Sequence, residues 1–340
     1  MPRILHHVTV ARDNLHNAFT DLQYWQGCYW VSYRKGSAHA SMDGEAVVAL
    51  SHDRTRFREV AHLKVRGDCR DPKLLPLDDD RMAMYFPSWT RGAAQRELQH
   101  YICFSRNGFD WSEPQPVLEP NRWLWRVRRH EGRYYGLVQN VLAKPDGGSG
   151  PTLNLDLAVS DDLLEWETLC RIGTDAQGLC ESDIHWWPNG EAWIVARSAT
   201  VKQTGGNDYF CSAQPPYTDW QINEMSARCH APIFLEHEGT LYVAGRRFPE
   251  VEGEKTYPSP ASLGLWRVTR GDLELVLHVP AIGDCSYPGL IKDPDGRICM
   301  SYYSQHAYYL GALPRPARLH ADAPEPLAPN DIYFAEIELP

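Results

Sequence analysis

The chain has 340 residues, 43% of them hydrophobic, and carries 34 Lys and Arg against 44 Asp and Glu, a net charge of -10 at pH 7. That balance argues against a nucleic-acid partner, which needs a basic patch to neutralise phosphates, and no apolar run approaches the ~18 residues of a membrane-spanning helix. The nine cysteines, at 28, 69, 103, 170, 180, 211, 229, 285 and 299, form no Cys-x-x-Cys pair, so neither a disulfide framework nor a zinc centre is expected, and reduced thiols in a cytoplasm fit better.

The start, MPRILHHVTVARDN, lacks the apolar stretch of a signal peptide and contains a strand-like run, RILHHVTVA. Beyond it, long helical patterns are scarce. Short alternating runs follow one another between Gly, Asp, Asn and Pro turns, the pattern of an all-β protein; the 12 Trp and 17 Tyr favour strands too. Six hairpins can be superimposed: FTDLQYWQGCYWVSYR, DPKLLPLDDDRMAMYF, WLWRVRRHEGRYYGLVQ, SDIHWWPNGEAWIVAR, HAPIFLEHEGTLYVAGRR and SYPGLIKDPDGRICMSYYS. They begin at 19, 71, 123, 182, 230 and 286, so successive starts are 52, 52, 59, 48 and 56 residues apart. A four-stranded propeller blade needs about 40 to 50 residues. Each hairpin is therefore expected to supply strands A and B of one blade, with C and D between hairpins.

A second repeat lies in those intervals. SRNGFDW (105–111) and SDDLLEW (160–166), and more loosely SHDRTRF (51–57), place an acid or amide two residues after a serine, with an aromatic further on. This suits a turn whose Asp53, Asn107 or Asp162 bonds local backbone, a structural and not a catalytic task. After a proline-rich stretch, 314–329, the run DIYFAEIEL (331–339) reads as a last strand. Together with the N-terminal run it is expected to complete the sixth blade and leave no open edge. The expectation is one six-bladed β-propeller domain over 1–340, with five blades as the alternative.

Strand A lines a propeller's axis, and the start of A and the end of B lie at the same end of the blade. Polar residues at those places therefore converge. The A starts carry Asp68, Arg70 and Asp71, then Trp125 and Arg126, Glu181 and Asp183, His230, and Asp284 and Tyr287. The B ends carry Arg34, Arg197, Arg246 and Arg247, and Tyr302 and Tyr303, with His39 just past Arg34. Alternation lets only one of Arg246 and Arg247 face inward, and comparison of AWIVAR with LYVAGR favours Arg246. Any one of these residues could be a solvated loop charge. Their recurrence at one end of every blade predicts a concave site of mixed charge. Arginine forks suit anions, and a phenol becomes a nucleophile only with a carboxylate to take its proton; Glu181 is the expected partner for Tyr287. No metal-binding motif is apparent, and no metal or cofactor is expected.

The stretches WLWRVRRHEGRYYG, GDCSYPGLIKDPDGR and MSYYSQH, with the Ser-x-Asp turns, resemble the sialidase superfamily of propellers. The resemblance implies a carbohydrate-active enzyme, an exo-glycoside hydrolase with a tyrosine nucleophile. It implies Tyr287 as that tyrosine and Glu181 as its partner, with His39 or one of Asp68 and Asp71 as acid/base. Arg34, Arg70, Arg126, Arg197 and Arg246, with Trp125, His230, Asp284 and Tyr302, would bind an anionic or hydroxyl-rich sugar. Two features depart from the family pattern. His39 stands in the loop expected to hold the acid/base aspartate, with Asp43 further on, and NAFTDLQYW has no arginine where one of the family's three is expected. A lyase that acts on a uronic acid through a His or Tyr base, and a sugar-binding propeller without catalysis, are the alternatives. The expected partner is a small molecule or oligosaccharide.

Overall fold

The computed structural model describes residues 2–91, 96–142, 152–199, 207–248, 261–309 and 329–339. Six antiparallel meander sheets are arranged as a β-propeller. Blade 1 comprises β2 (His16–Trp25), β3 (Cys28–Gly36), β4 (Glu45–Ser51) and β5 (Arg58–Leu63). Blade 2 comprises β6 (Asp68–Cys69), β7 (Lys73–Asp78), β8 (Arg81–Arg91), β9 (Arg96–Ser105) and β10 (Gln115–Val117); β6 and β7 share the inner edge of β8. Blade 3 is β11 (Arg122–His130), β12 (Arg133–Leu142), β13 (Thr152–Ser160) and β14 (Glu167–Ile172). Blade 4 is β15 (Leu179–Trp186), β16 (Ala192–Ser198), β17 (Tyr209–Ala213) and β18 (Gln221–Glu224). Blade 5 is β19 (His230–His237), β20 (Thr240–Arg247), β21 (Ser262–Thr269) and β22 (Asp272–Val279).

Blade 6 joins the two ends of the chain. Its strands are β23 (Ser286–Lys292), β24 (Ile298–Ser304), β25 (Asp331–Glu338) and, outermost, β1 (Arg3–Ala11). β1 runs antiparallel to β25, with Val8 opposite Phe334. The one helical turn among the described residues is α1 (His306–Tyr309). The proline-rich stretch lies outside the described residues, apart from Pro329.

Apolar residues are buried between blades. Val47 and Tyr33 of blade 1 pack with Phe334 and Ile332 of blade 6, and Leu263 of blade 5 packs with Met300 and Tyr302 of blade 6. Inner strands approach closely where side chains are small. A Cβ on Gly289 of β23 would lie 2.2 Å from the backbone nitrogen of Leu22 in β2, so only glycine fits where blade 6 meets blade 1.

The Ser-x-Asp turns join strands C and D, as the spacing predicts. Ser51, Ser105 and Ser160 accept the amides of Arg54, Gly108 and Leu163 at 2.8–2.9 Å, each a residue with φ of 65–75°. Asp53, Asn107 and Asp162 accept two further amides apiece, at 2.8–3.0 Å. Blade 4 turns the same way at residues 213–220 without that serine or acid: Tyr217 has φ 66°, and Trp220 donates to its carbonyl at 3.0 Å, as Trp166 does to Leu163 at 2.9 Å. The sequence pattern misses this fourth turn.

Candidate functional site

A β-bulge opens each innermost strand at the same end of its blade. Register shifts fall between Ala18 and Asp21, Leu124 and Arg126, Leu179 and Ser182, His230 and Ile233, and Ser286 and Gly289; in blade 2 the strand is interrupted between Cys69 and Lys73. The extra residues include Phe19, Asp71, Trp125, Glu181, Ala231 and Tyr287. Four of them have left-handed backbones, with φ of 61° at Phe19, 44° at Asp71, 53° at Ala231 and 49° at Tyr287. Bulges re-aim side chains beside functional sites, and bulky residues at positive φ store strain that the surrounding structure must over-determine.

At the centre of this ring the Tyr287 hydroxyl donates to Glu181 Oε1 at 2.8 Å, and Arg197 also donates to Glu181 Oε1. Burial opposes the Glu181 charge, but Arg197, His230 and Arg246 hold its carboxyl below the usual range. Burial, and then the charges of Glu181 and Asp71, push the Tyr287 phenol well above its ordinary value. The resting pair is therefore phenol and carboxylate. Tyr287 is packed by Phe19, with ring centres 4.8 Å apart, and by Trp125, at 5.3 Å.

Asp71 is 2% exposed, and neither carboxylate oxygen has a hydrogen-bond partner. Burial raises its pKa to about 6 against the pull of Arg70 and Lys73. Lys73 does not figure in the sequence reading, because it follows the interruption of the inner strand, as the first residue of β7. It is buried, donates to Thr20 O at 3.0 Å and sits 5.8 Å from the Tyr287 ring centre; burial lowers its pKa to about 8.

Several residues expected to contact a ligand instead hold the loop 37–44 that carries His39. Arg34 is 0% exposed. It donates to Asp68 Oδ1 at 2.7 Å and to Ser41 Oγ at 2.8 Å. Asp68 is not free for acid/base work, since it also accepts Ser41 N at 3.3 Å and Arg70 at 3.1 Å. Arg70 additionally donates to the His39 carbonyl at 2.8 Å, while Asp43 accepts Ser37 N at 3.2 Å. From the opposite side Asp284 Oδ2 meets His39 Nδ1 at 2.7 Å and His16 Nε2 at 2.8 Å. Thus the aspartates of the two Gly-Asp-Cys triplets, 67–69 and 283–285, grip one loop.

Arg126 is also displaced from its expected place. It lies deeper on the axis, buried, with Nη1 3.2 Å from Asp21, Nη2 3.3 Å from Pro288 O, and Nε 3.9 Å from Asp183, tying blades 1, 3, 4 and 6 together. Tyr302 points between blades and bonds His7 at 2.7 Å. Its neighbour Tyr303 is the funnel residue, donating to Asp284 Oδ1 at 3.1 Å and accepting Arg246 Nη2 at 3.0 Å. Arg246, the one that comparison of AWIVAR with LYVAGR favours, also donates to Cys285 O at 2.6 Å. His230 is buried behind Glu181, against Phe248 at 4.7 Å between ring centres and with Nε2 3.5 Å from Asp208. Trp125 is buried as packing beneath Tyr287. Beside the funnel a cavity of about 370 Å³ is lined by His39, Asp68, Arg70, Trp89 and Trp123; Trp89 and Trp123 lie edge to face, 6.0 Å apart.

No protein-family profile and no curated protein matches the chain. Solved structures do. A protein of unknown function from Dyadobacter fermentans aligns with TM-score 0.76 and 15% identity over 100% of this chain and 99% of that one. A mutant of Trypanosoma rangeli sialidase displaying trans-sialidase activity aligns with TM-score 0.62 and 12% identity, over 94% of this chain but 54% of that one, so this chain spans about half the sialidase's length. A Penicillium chrysogenum alpha-L-arabinanase complexed with arabinobiose aligns with TM-score 0.60 and 13% identity over 98% of both chains. Structural neighbours therefore include glycoside hydrolases of different substrates. By these likenesses and its six blades, the chain has the fold of a sialidase-like β-propeller.

Proposed function

We propose that this chain is an exo-acting glycoside hydrolase with Tyr287 as nucleophile. The observation that carries the reading is the 2.8 Å hydrogen bond from Tyr287 to Glu181, in a funnel where Arg197 keeps Glu181 ionised. As the Tyr287 oxygen bonds to the anomeric carbon, its proton passes to Glu181 and the bond to the leaving oxygen breaks. Asp71, a carboxyl still partly protonated near pH 6, is suited to protonate that oxygen. Water then attacks the anomeric carbon, Asp71 taking its proton, as the bond to the Tyr287 oxygen breaks and Glu181 returns its proton to that oxygen. His39, held at Nδ1 by Asp284 with its ring half exposed, is the alternative acid/base.

The funnel arginines favour a hydroxyl-rich sugar over an anionic one. Arg197 faces Glu181, Arg246 faces Asp284, and Arg34 and Arg70 face Asp68. Each is matched by a protein carboxylate, which offsets the charge that a substrate acid would need. The same pairing weighs against a uronate lyase, which needs a cation to neutralise the substrate acid. Trp89 and Trp123 supply apolar faces for the leaving group.

A panel of aryl glycosides tests the reading, spanning neutral pentosides and hexosides, sialosides and uronides. Release of aglycone without ultraviolet-absorbing unsaturated product is expected, and its loss in Tyr287→Phe. Unsaturated product would establish the lyase. Ligand binding without turnover across the panel would leave a sugar-binding module.

A further inference from the structure

Asp284 Oδ2 is the focus of three side chains from separate parts of the chain. His16 Nε2 lies 2.8 Å away, His39 Nδ1 2.7 Å away and Asn330 Nδ2 3.4 Å away. Asn330 Nδ2 is also 3.2 Å from His16 Nε2, while Asn330 Oδ1 is buried without a partner. His16 and Asn330 are buried. The His39 side chain is 51% exposed.

Hydrogen bonding alone leaves one unfavourable contact in this cluster whichever way it is arranged. If His16 Nε2 carries hydrogen for Asp284, it faces the Asn330 amide as donor against donor. If it is bare, its lone pair faces the carboxylate. The two ends of an amide are chosen and not observed; reversing Asn330 relieves His16 but puts Oδ1 against Asp284 Oδ2, acceptor against acceptor. A cation removes the conflict, because with Asn330 reversed to present Oδ1 all four atoms can offer lone pairs. Ligands about 2.1 Å from a metal stand about 3.0 Å apart at right angles and about 3.4 Å apart in a tetrahedron; the separations here are 2.7–3.4 Å, so binding would draw the shortest pairs slightly apart. Asp284 Oδ1 is meanwhile fixed by Tyr303 at 3.1 Å, with Arg246 3.6 Å away, the outer support that metal-binding carboxylates commonly have.

We propose that His16, His39, Asp284 and Asn330 form a site for a first-row divalent cation, in the class of zinc or cobalt. Two imidazole nitrogens with a carboxylate and an amide oxygen suit such ions better than calcium or magnesium, which prefer oxygen alone. The exposed side of His39 leaves the remaining coordination positions facing the funnel, where they can take sugar hydroxyls or water. Sequence inspection expects no metal because the ligands lie at 16, 39, 284 and 330, with no local motif. This inference does not depend on the hydrolytic reading.

The test is binding. The whole chain, stripped with chelator, is titrated with zinc and with cobalt(II) by calorimetry, and cobalt is followed by its visible spectrum. The expected result is one equivalent bound, with affinity more than tenfold weaker in His39→Ala and Asp284→Asn and unchanged in the control His62→Ala. Because His39 is half exposed, His39→Ala is expected to keep the fold, which circular dichroism checks. Saturating zinc should raise the melting temperature of the wild type and not of His39→Ala. The proposal is overturned if no stoichiometric binding occurs, if His39→Ala binds as tightly as the wild type, or if calcium binds in preference to zinc.

Discussion

Tyr287 and Glu181, 106 residues apart in sequence, meet hydroxyl to carboxylate at 2.8 Å across the propeller axis. Tyr287→Phe keeps the ring against Phe19 and Trp125 and removes only the oxygen. Its stability should stay within about 1 kcal/mol of wild type, the net worth of one hydrogen bond, while turnover falls at least about 100-fold. Glu181→Gln should lose comparable activity and also be destabilised, by about 3 kcal/mol, since Arg197 is left without its counter-charge. Paired kinetic and urea-melting measurements separate the two effects; normal turnover in Tyr287→Phe would make the tyrosine structural.

Asp71 predicts a pH dependence of both activity and stability. Its folded pKa, about 6, is raised by burial above the ordinary carboxyl value of 3.8. The folded state therefore holds the proton more tightly than the unfolded chain, and stability falls as pH rises from about 4 to about 6. Above that window Asp71→Asn should be more stable than wild type by about 2 kcal/mol, less than the full 3 because Lys73 loses a counter-charge. At pH 4 the difference should vanish. The same variant should abolish the decline in turnover through about pH 6. Melts at pH 4 and 7.5 with a kcat/KM profile check this, and equal stability of the two proteins at pH 7.5 would refute it.

His100 of β9 is fully buried, with no partner for either ring nitrogen, and burial lowers its pKa to about 3. For this depressed histidine the unfolded chain binds the proton first. Stability is complete above the unfolded value near 6.5 and is lost as pH falls toward 3. His100→Leu should flatten that loss, leaving the variant more stable than wild type at pH 4 by about 3 kcal/mol relative to their difference at pH 7.5. Denaturant midpoints at the two pH values measure it, and an unchanged slope would show that His100 finds a proton partner.

Gly289→Ala should be among the most damaging single-methyl changes in the chain. The added Cβ would stand 2.2 Å from Leu22 N and 2.6 Å from Leu22 Cβ, forcing blades 6 and 1 apart where the ring closes. A loss of about 2 to 3 kcal/mol is expected. Gly271→Ala, where nothing lies within 4 Å but φ is 92°, isolates the cost of backbone strain. A smaller loss at 289 than at 271 would mean that the blade interface gives way easily.

The repeat spacing and the Ser-x-Asp turns determined the architecture from the sequence alone. Blades are built from contacts close along the chain, so alternation and turn residues record them locally. The serine–acid turns were legible because one serine and one acid satisfy their own backbone; the blade 4 turn was not, because Tyr217 and Trp220 make the same shape with other residues. That Tyr287 and Glu181 stand near the starts of inner strands was legible too. Which neighbours face the axis was decided by the tertiary structure. The break near the start of every innermost strand upsets the two-residue alternation there, so Lys73 enters the funnel unannounced; on β24 it is Tyr303, opposite Ser286, that turns inward and not Tyr302. The division of labour among the charges also required the ring to close. Only then do Arg34 and Arg70 meet Asp68 around the His39 loop, and His16, from the edge of blade 1, meet Asp284 from the edge of blade 6. A charge recorded in sequence has no partner until distant blades are brought together, and in a buried funnel it is the partner that decides whether an arginine binds a ligand or holds a loop.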